Sequence, residues 1–373
     1  MTASLHGIRE IFLYLVRVGA GTVQPSANIL PGSVPWEKLK ALARYHSLLA
    51  IVLDGYNALC ARDLLDEGQK MDPAFERKWI SSTLSSYEKR YRNYGEVVAG
   101  LNAFYASHGL RMLLLKGYGL SRNWPVPRHR PCGDIDIWMF GRWKEADALL
   151  MAEKGIKAGH RHQHHTTFRY EGQFVENHFD FVDVYSHPSS RRFEKILKGL
   201  APVGLGTVRI GDQDVLIPSP DFNALFLLRH AASHFASERM TVRQVLDWAF
   251  FVRECGSEVN WDFVLRTVSD FRMDTFLNCL DAICAEDFAF GADIFPPFEA
   301  DPALKARMLN DLIYPEFSEK EPKAILRRFA FRFRRWRKNA WKNRMVYPES
   351  PFVSFCYLLW SHIRKPKILR KKD

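Results

Sequence analysis

From Trp36 onward, apolar residues recur three and four positions apart: Leu39, Leu42, Ala43, Leu48, Leu49, Val52 and Leu53 lay one stripe along helical chain. The same spacing in Ile8, Ile11, Phe12, Tyr14 and Leu15 predicts a helix near the start. Another covers about 82–107 and ends at His108-Gly109, where glycine suits the C-terminal cap. The period then changes. Leu110–Leu115 is a short apolar run between Gly109 and Lys116-Gly117, and Ile135–Phe140 is a second; both read as buried strands. A helix is predicted over Trp143–Lys154, stopping at Gly155. Two alternating stretches, His164–Tyr170 and Gln173–Tyr185, are joined by Glu171-Gly172 as a hairpin, and Thr207–Ile210 with Val215–Ile217 form a smaller pair around Gly211-Asp212. Pro218-Ser219-Pro220-Asp221 ends this block, and Ser219 or Asp221 is placed to cap the helices that run from Phe222 to about Ala289, which Phe295-Pro296-Pro297 closes.

The pattern gives an α+β core at 109–217 between a helical region at 1–108 and another at 218–322. The remainder, 323–373, stands apart by composition. It holds 16 Lys or Arg against two acids, Glu349 and Asp373, so a chain of net charge +11 divides into a body with 37 basic and 40 acidic residues and a strongly basic end. The six cysteines show no C-x-x-C spacing, which argues against zinc ribbons and disulfide scaffolds and fits a reducing cytoplasm. Arg9 and Arg17 interrupt the first apolar stretch, so no signal peptide is expected, and no apolar run is long enough to span a membrane.

In Gly133-Asp134-Ile135-Asp136-Ile137, acids at i and i+2 on a strand share a face, with Cα atoms about 6–7 Å apart. From there two carboxylates can converge on one divalent ion, while Ile135 and Ile137 turn into the core. An acidic pair among apolar residues is costly to bury without a cation; the alternative is a solvated strand end. Lys116-Gly117, between a strand and a short helix at 118–123, offers a positive charge and a close backbone approach for phosphate. In Val175-Glu176-Asn177-His178-Phe179-Asp180 the alternation puts Glu176, His178 and Asp180 on one face. Glu176 is the candidate third carboxylate, with Asp180 in reserve; a polar outer hairpin face is the other reading, preferred for Asp180 and Asp183.

These motifs resemble those of the uncharacterised nucleotidyltransferase family of the polymerase β superfamily, found widely in bacteria. The likeness rests on Leu115-Lys116-Gly117, Arg130 with Gly133-Asp134-Ile135-Asp136, and Val175-Glu176-Asn177-His178. It continues through Pro218-Ser219-Pro220-Asp221, Leu228-Arg229-His230 with His234, and Arg243 with Leu246-Asp247, covering about Trp36 to Asp270. The resemblance implies a minimal nucleotidyltransferase fold in which Asp134, Asp136 and Glu176 bind Mg²⁺ and Lys116-Gly117 replaces the superfamily's Gly-Ser phosphate loop. Nucleotidyl transfer from a nucleoside triphosphate to a hydroxyl acceptor, with release of pyrophosphate, is the implied activity. Arg130 is a candidate for contact with the triphosphate or with an acid behind the site, or else a surface residue of its loop. The contrasting reading is a regulatory module that binds nucleotide without turnover, or an RNA-associated protein acting through its basic end.

Other signals are weaker. Strand alternation in Gly159–His165 puts His160, His162 and His164 on one face and His165 on the other, without the acid or cysteine a zinc site needs, so these are taken as polar strand residues near the nucleotide. Arg229 and His234 have the R-x-x-x-x-H spacing of one ribonuclease class, and His230 and His234 the i, i+4 spacing of zinc ligands, but neither set is complete. They are expected to face the catalytic block. Arg327–Lys338 interleaves aromatic and basic residues, which suits nucleic acid or an anionic membrane surface; the bland alternative is a helix that packs its aromatics and leaves its arginines in water.

Overall fold

The structure, a computed structural model, describes residues 7–27, 29–159, 164–237, 239–317, 322, 325–350, 352–354 and 357. The N-terminal third is helical: α1 (Ile8–Gly19), α2 (Trp36–Tyr45), α3 (Leu49–Cys60), α4 (Pro73–Thr83) and α5 (Lys89–Ser107), with a π-helical turn, Leu84–Glu88, joining the last two. The middle block contains β1 (Leu113–Leu114), α6 (Tyr118–Ser121), β2 (Ile135–Trp138), α7 (Trp143–Lys154), β3 (His165–Tyr170), β4 (Gln173–His178), α8 (Ser190–Leu200), β5 (Gly206–Ile210) and β6 (Gln213–Ile217). The last third is again helical, with α9 (Pro220–Ser237), α10 (Val242–Cys255), α11 (Trp261–Asp270), α12 (Asp274–Ala282), α13 (Pro302–Ile313), α14 (Ile325–Lys338) and α15 (Ala340–Val346).

The strands make one mixed sheet in the order β3-β4-β2-β1-β6-β5. β2 pairs parallel to β4 with Asp136 opposite Glu176, and antiparallel to β1. One face is apolar: Ile135, Ile137 and Val175 pack with Tyr94, Val97, Val98 and Leu101 of α5 and with Ala146 and Leu150 of α7. The other face carries Asp136 and lies towards α9. The α+β architecture with flanking helices is therefore as the periodicity predicts, and α7 has the expected bounds. β1 is shorter than the apolar run that suggested it, because Leu110 and Met112 serve the helix-packed cluster without ladder pairing. At the next junction Ser219 Oγ accepts from the Phe222 amide at 3.3 Å, whereas Asp221 instead accepts from the Asn260 amide at 2.7 Å.

The helices on the far side share one large core to which both α1–α3 and α9–α13 contribute. Its tightest crossing is α1 on α3, where a Cβ on Gly55 would lie 2.1 Å from the Leu15 carbonyl oxygen and one on Gly19 would lie 1.9 Å from that of Ile51. Backbone meets backbone there, so neither helix can yield locally. Gly55→Ala is expected to cost about 1–3 kcal/mol by denaturant titration. Gly100→Ala in α5, where the new Cβ meets Tyr170 only at 3.8 Å, should be neutral or slightly stabilising. Equal stability of the two variants would refute the crossing.

Of the basic segment, α14 buries Phe331 against Phe317 and leaves Phe333 half exposed. The chain from α15 to Glu349 is docked on the body. In α15, Lys342 Nζ reaches the buried Asp311 at 2.5 Å, and Trp341 meets Phe235 edge-on. Tyr347 stacks on His187, and Glu349 accepts from the Ser189 hydroxyl at 3.0 Å. Arg229 of α9 is buried and turned towards this segment: its guanidinium donates to the Val346 carbonyl and to Ser190 and lies over the Tyr347 ring. Its expected orientation towards the catalytic block is thus corrected. His230, the next residue round the helix, is the one that feels Lys116 and Asp136.

Candidate active site

Asp136 sits on the central strand, 2% exposed, and would be costly there without partners. It has two on one oxygen: Lys116 Nζ at 3.0 Å and His178 Nε2 at 2.9 Å from Oδ1. Burial works against its charge, but Lys116 first and His178 second outweigh it and hold the carboxyl well below the ordinary aspartate range. The same contact works on His178, whose burial opposes protonation while Asp136 and Glu176 raise its pKa. β4 supplies Glu176, in register beside Asp136, with Oε1 3.3 Å from His165 Nε2 and Oε2 3.5 Å from His178 Nε2. Donor atoms of Asp136, Glu176 and His178 all lie within 4.8 Å of one another.

Asp134 stands one step before the strand and is exposed. Its carboxyl is pushed up from the usual aspartate value by desolvation, then by the Glu176 and Asp136 charges, with Lys116 acting in the opposite sense. The Glu176 and Asp136 charges thus disfavour the ionised form of Asp134, and a divalent cation among these carboxylates would be stabilising, so the residues present fit the metal that the sequence implies.

Gly117 has φ +76°, and a Cβ there would lie 3.3 Å from the Asp134 carbonyl oxygen and 3.9 Å from Asp136 Oδ2. Only glycine lets the chain turn that close to the acidic strand. Behind it stands Arg130, fully buried. Its Nη1 donates to the Gly117 carbonyl at 2.7 Å, while Nε and Nη2 bind Asp247 of α10 at 2.7 and 2.9 Å. Asp247 also accepts from Trp124 Nε1 at 2.9 Å. Of the three expectations for Arg130, the geometry therefore gives the acid behind the site rather than the triphosphate or a surface position, and places the guanidinium as a brace for the Lys116-Gly117 turn.

Lys116, expected on phosphate, is turned to Asp136 and also lies over the Phe226 ring at 5.9 Å. Asp180 pairs instead with Lys198, and Asp183 accepts from the Tyr185 amide; β4 ends at His178, so neither lies on the outer hairpin face expected of it. His160 and His162 lie outside the described residues. His164 and His165 do not diverge as strand alternation predicts, because His164 sits in the bend before β3; donor atoms of His164, His165 and His178 lie within 4.8 Å. Sequence reasoning placed His165 only as a polar strand residue near the nucleotide and gave no role to His178 or Asp247. The only advance signals were the shared face of Glu176 and His178 and the Arg243–Asp247 motif.

The sequence profile of a family described as uncharacterised nucleotidyltransferase matches residues 32–289, more than two thirds of the chain. A solved structure described as an antigenic nucleotidyltransferase-like protein from Paracoccidioides brasiliensis is similar at 16% identity. The match covers 43% of this chain and 75% of that one, with a TM-score of 0.30. No curated protein matches. Among the described residues no helix is long and apolar enough to cross a membrane.

Proposed function

As a member of the uncharacterised nucleotidyltransferase family, the chain is one for which we propose Mg²⁺-dependent transfer of a nucleoside monophosphate from a nucleoside triphosphate to a hydroxyl acceptor, with release of pyrophosphate. The observation that carries this reading is the convergence of Asp136, Glu176 and His178 beside Asp134, with Lys116 at 3.0 Å. Asp134, Asp136 and Glu176 would hold the cation. When bound, Mg²⁺ supplies neutralisation of the phosphate charge and polarisation of the reacting phosphoryl group.

The chain's own groups do the rest. Glu176, flanked by His165 and His178, is the carboxylate suited to accept the proton of the attacking hydroxyl. Lys116 is partly exposed, with 22% of its side chain in solvent, and can swing from Asp136 Oδ1 to a phosphate oxygen. Gly117 admits the phosphates close to the backbone, and Arg130 keeps that turn in place through its carbonyl. The basic segment is the part suited to a polyanionic partner, RNA or an anionic membrane: Arg334, Arg337 and Lys338 are exposed beside the half-exposed Phe333.

The test is incubation with each α-labelled triphosphate, Mg²⁺ and a cell lysate, with label expected on an acceptor. Lys116→Met should weaken triphosphate binding about ten- to a hundredfold, as loss of one charge-assisted contact of about 1.5–3 kcal/mol requires. Equal loss for adenosine and ATP would assign Lys116 a structural role. Stabilisation by triphosphate without any transfer would replace the enzyme with a nucleotide-binding regulatory module.

A further inference from the structure

We infer that His129 is a positioning residue: as an imidazolium, it clamps the loop that carries Arg130 and leads into Asp134 onto α3 and onto the π-helical turn before α5. The clamp stands on its own geometry, and its effect on rate rests on the transfer proposed above. His129 closes a single 3₁₀ turn, Pro127–His129, and its side chain is 12% exposed between two helical elements. Nδ1 lies 2.7 Å from Asp54 Oδ2 of α3, and Nε2 lies 3.1 Å from Glu88 Oε1 of the π-helical turn. An ionised carboxylate only accepts, so a ring that meets one at each nitrogen needs a proton on both. The other Glu88 oxygen is taken by Arg128 Nε at 3.2 Å, which leaves Oε1 to the ring.

Burial opposes the charge on the ring, but Asp54 first and Glu88 second outweigh it and hold the His129 pKa above the ordinary histidine value. Burial likewise opposes the charge of Glu88, which His129 and Arg128 outweigh. The loop is built to pass this hold along. Pro125, Pro127 and Pro131 fix φ along it, and the His129 amide donates to the Val126 carbonyl at 2.8 Å. From this stiff segment the next residue, Arg130, reaches instead to Asp247 and the Gly117 carbonyl. Further on, Tyr94 Oη donates to the carbonyl of Gly133, one residue before Asp134. Slack at His129 therefore displaces both the brace of the Lys116-Gly117 turn and the approach to the first acid. Because the folded-state pKa is raised, the contribution of the clamp is complete below about pH 6.5 and is lost as pH rises through the folded value.

Nitrogen NMR of the full chain with ring-labelled histidine reads the clamp directly. The His129 signal, assigned by its loss in His129→Gln, should show both nitrogens protonated at about pH 7. His129→Arg gives the same assignment should the Gln variant fail to fold. Hydrogen exchange over 125–134 should be about tenfold faster in His129→Gln, neutral at every pH, than in the unsubstituted protein at about pH 6, and no faster at about pH 9. His129→Arg keeps a charge and donors for both carboxylates, so it should restore protection at about pH 6 and keep it at about pH 9. Label transfer should follow the same course: the unsubstituted protein exceeds His129→Gln about tenfold at the lower pH and matches it at the higher, a convergence that a merely structural side chain does not produce. A ring with one proton at about pH 7, or exchange unchanged in the Gln variant, would overturn the clamp. A rate ratio that stays constant with pH would overturn its positioning role. Absence of label transfer from every variant at every pH would remove nucleotidyl transfer, while the ring and exchange results would still decide the clamp.

Discussion

Asp136→Asn is expected to lower nucleotidyl transfer about a thousandfold or more, with the protein still folded. The side chain keeps its shape and loses the charge on which Lys116 and His178 converge. Two consequences should appear together. On the proposed mechanism the cation would lose a carboxylate at the centre of its site, and removal of one preorganised electrostatic group alone costs on the order of 10²–10³ in rate. Stability should also fall, by about 1–3 kcal/mol, because Lys116 and His178 then face a neutral amide at a buried position. Asp134→Asn separates the two effects. Asp134 is exposed, so transfer should fall comparably while the denaturation midpoint stays near that of the unsubstituted protein. If Asp136→Asn retained full activity with unchanged Mg²⁺ dependence, the catalytic centre would have to lie elsewhere.

Breaking the Arg130–Asp247 pair should have the largest effect on stability. Both side chains are almost wholly buried, and burial opposes the Arg130 charge until Asp247 overcomes it. Removing one partner strands the other ion in the interior, which costs about 3–5 kcal/mol. Arg130→Met and Asp247→Leu should each show this loss in urea titration, with Asp247→Leu also depriving Trp124 of its acceptor. The combined variant should regain a substantial part of the stability, since an apolar pair can replace a buried ion pair at little net cost. It should not regain activity, because the Gly117 carbonyl would still lack the Nη1 that holds it. Recovery of both together would reduce Arg130 to a packing element.

The site was legible in the sequence where its logic is local. Two acids at i and i+2 announce their shared face, and the alternation through Val175–His178 places Glu176 on it; the parallel pairing then sets Glu176 beside Asp136. Helix α7 was legible because its stripe and its closing Gly155 lie within one short window. What escaped was long-range. Asp247 reaches Arg130 across 117 residues, and no periodicity connects them. The grouping of His165 with His164 escaped because the bend before β3 ends the alternation that separated the two. Arg229 escaped because helical spacing reveals which residues share a face but not which neighbour that face will meet.

The docked segment at 340–349 also bears on the order in which the molecule can be finished. Synthesis proceeds from the N-terminus, and α9 exists 117 residues before Val346 arrives to accept from its Arg229. Through that interval a guanidinium destined for the interior must stay hydrated, and Phe235 awaits the ring of Trp341. The nascent chain can build its sheet and acidic centre while on the ribosome, yet the helical half stays unsealed until elongation has passed α15. Closure of the body is thus a late event in its biogenesis, and a ribosome stalled within α14 would hold a formed sheet beside an open core.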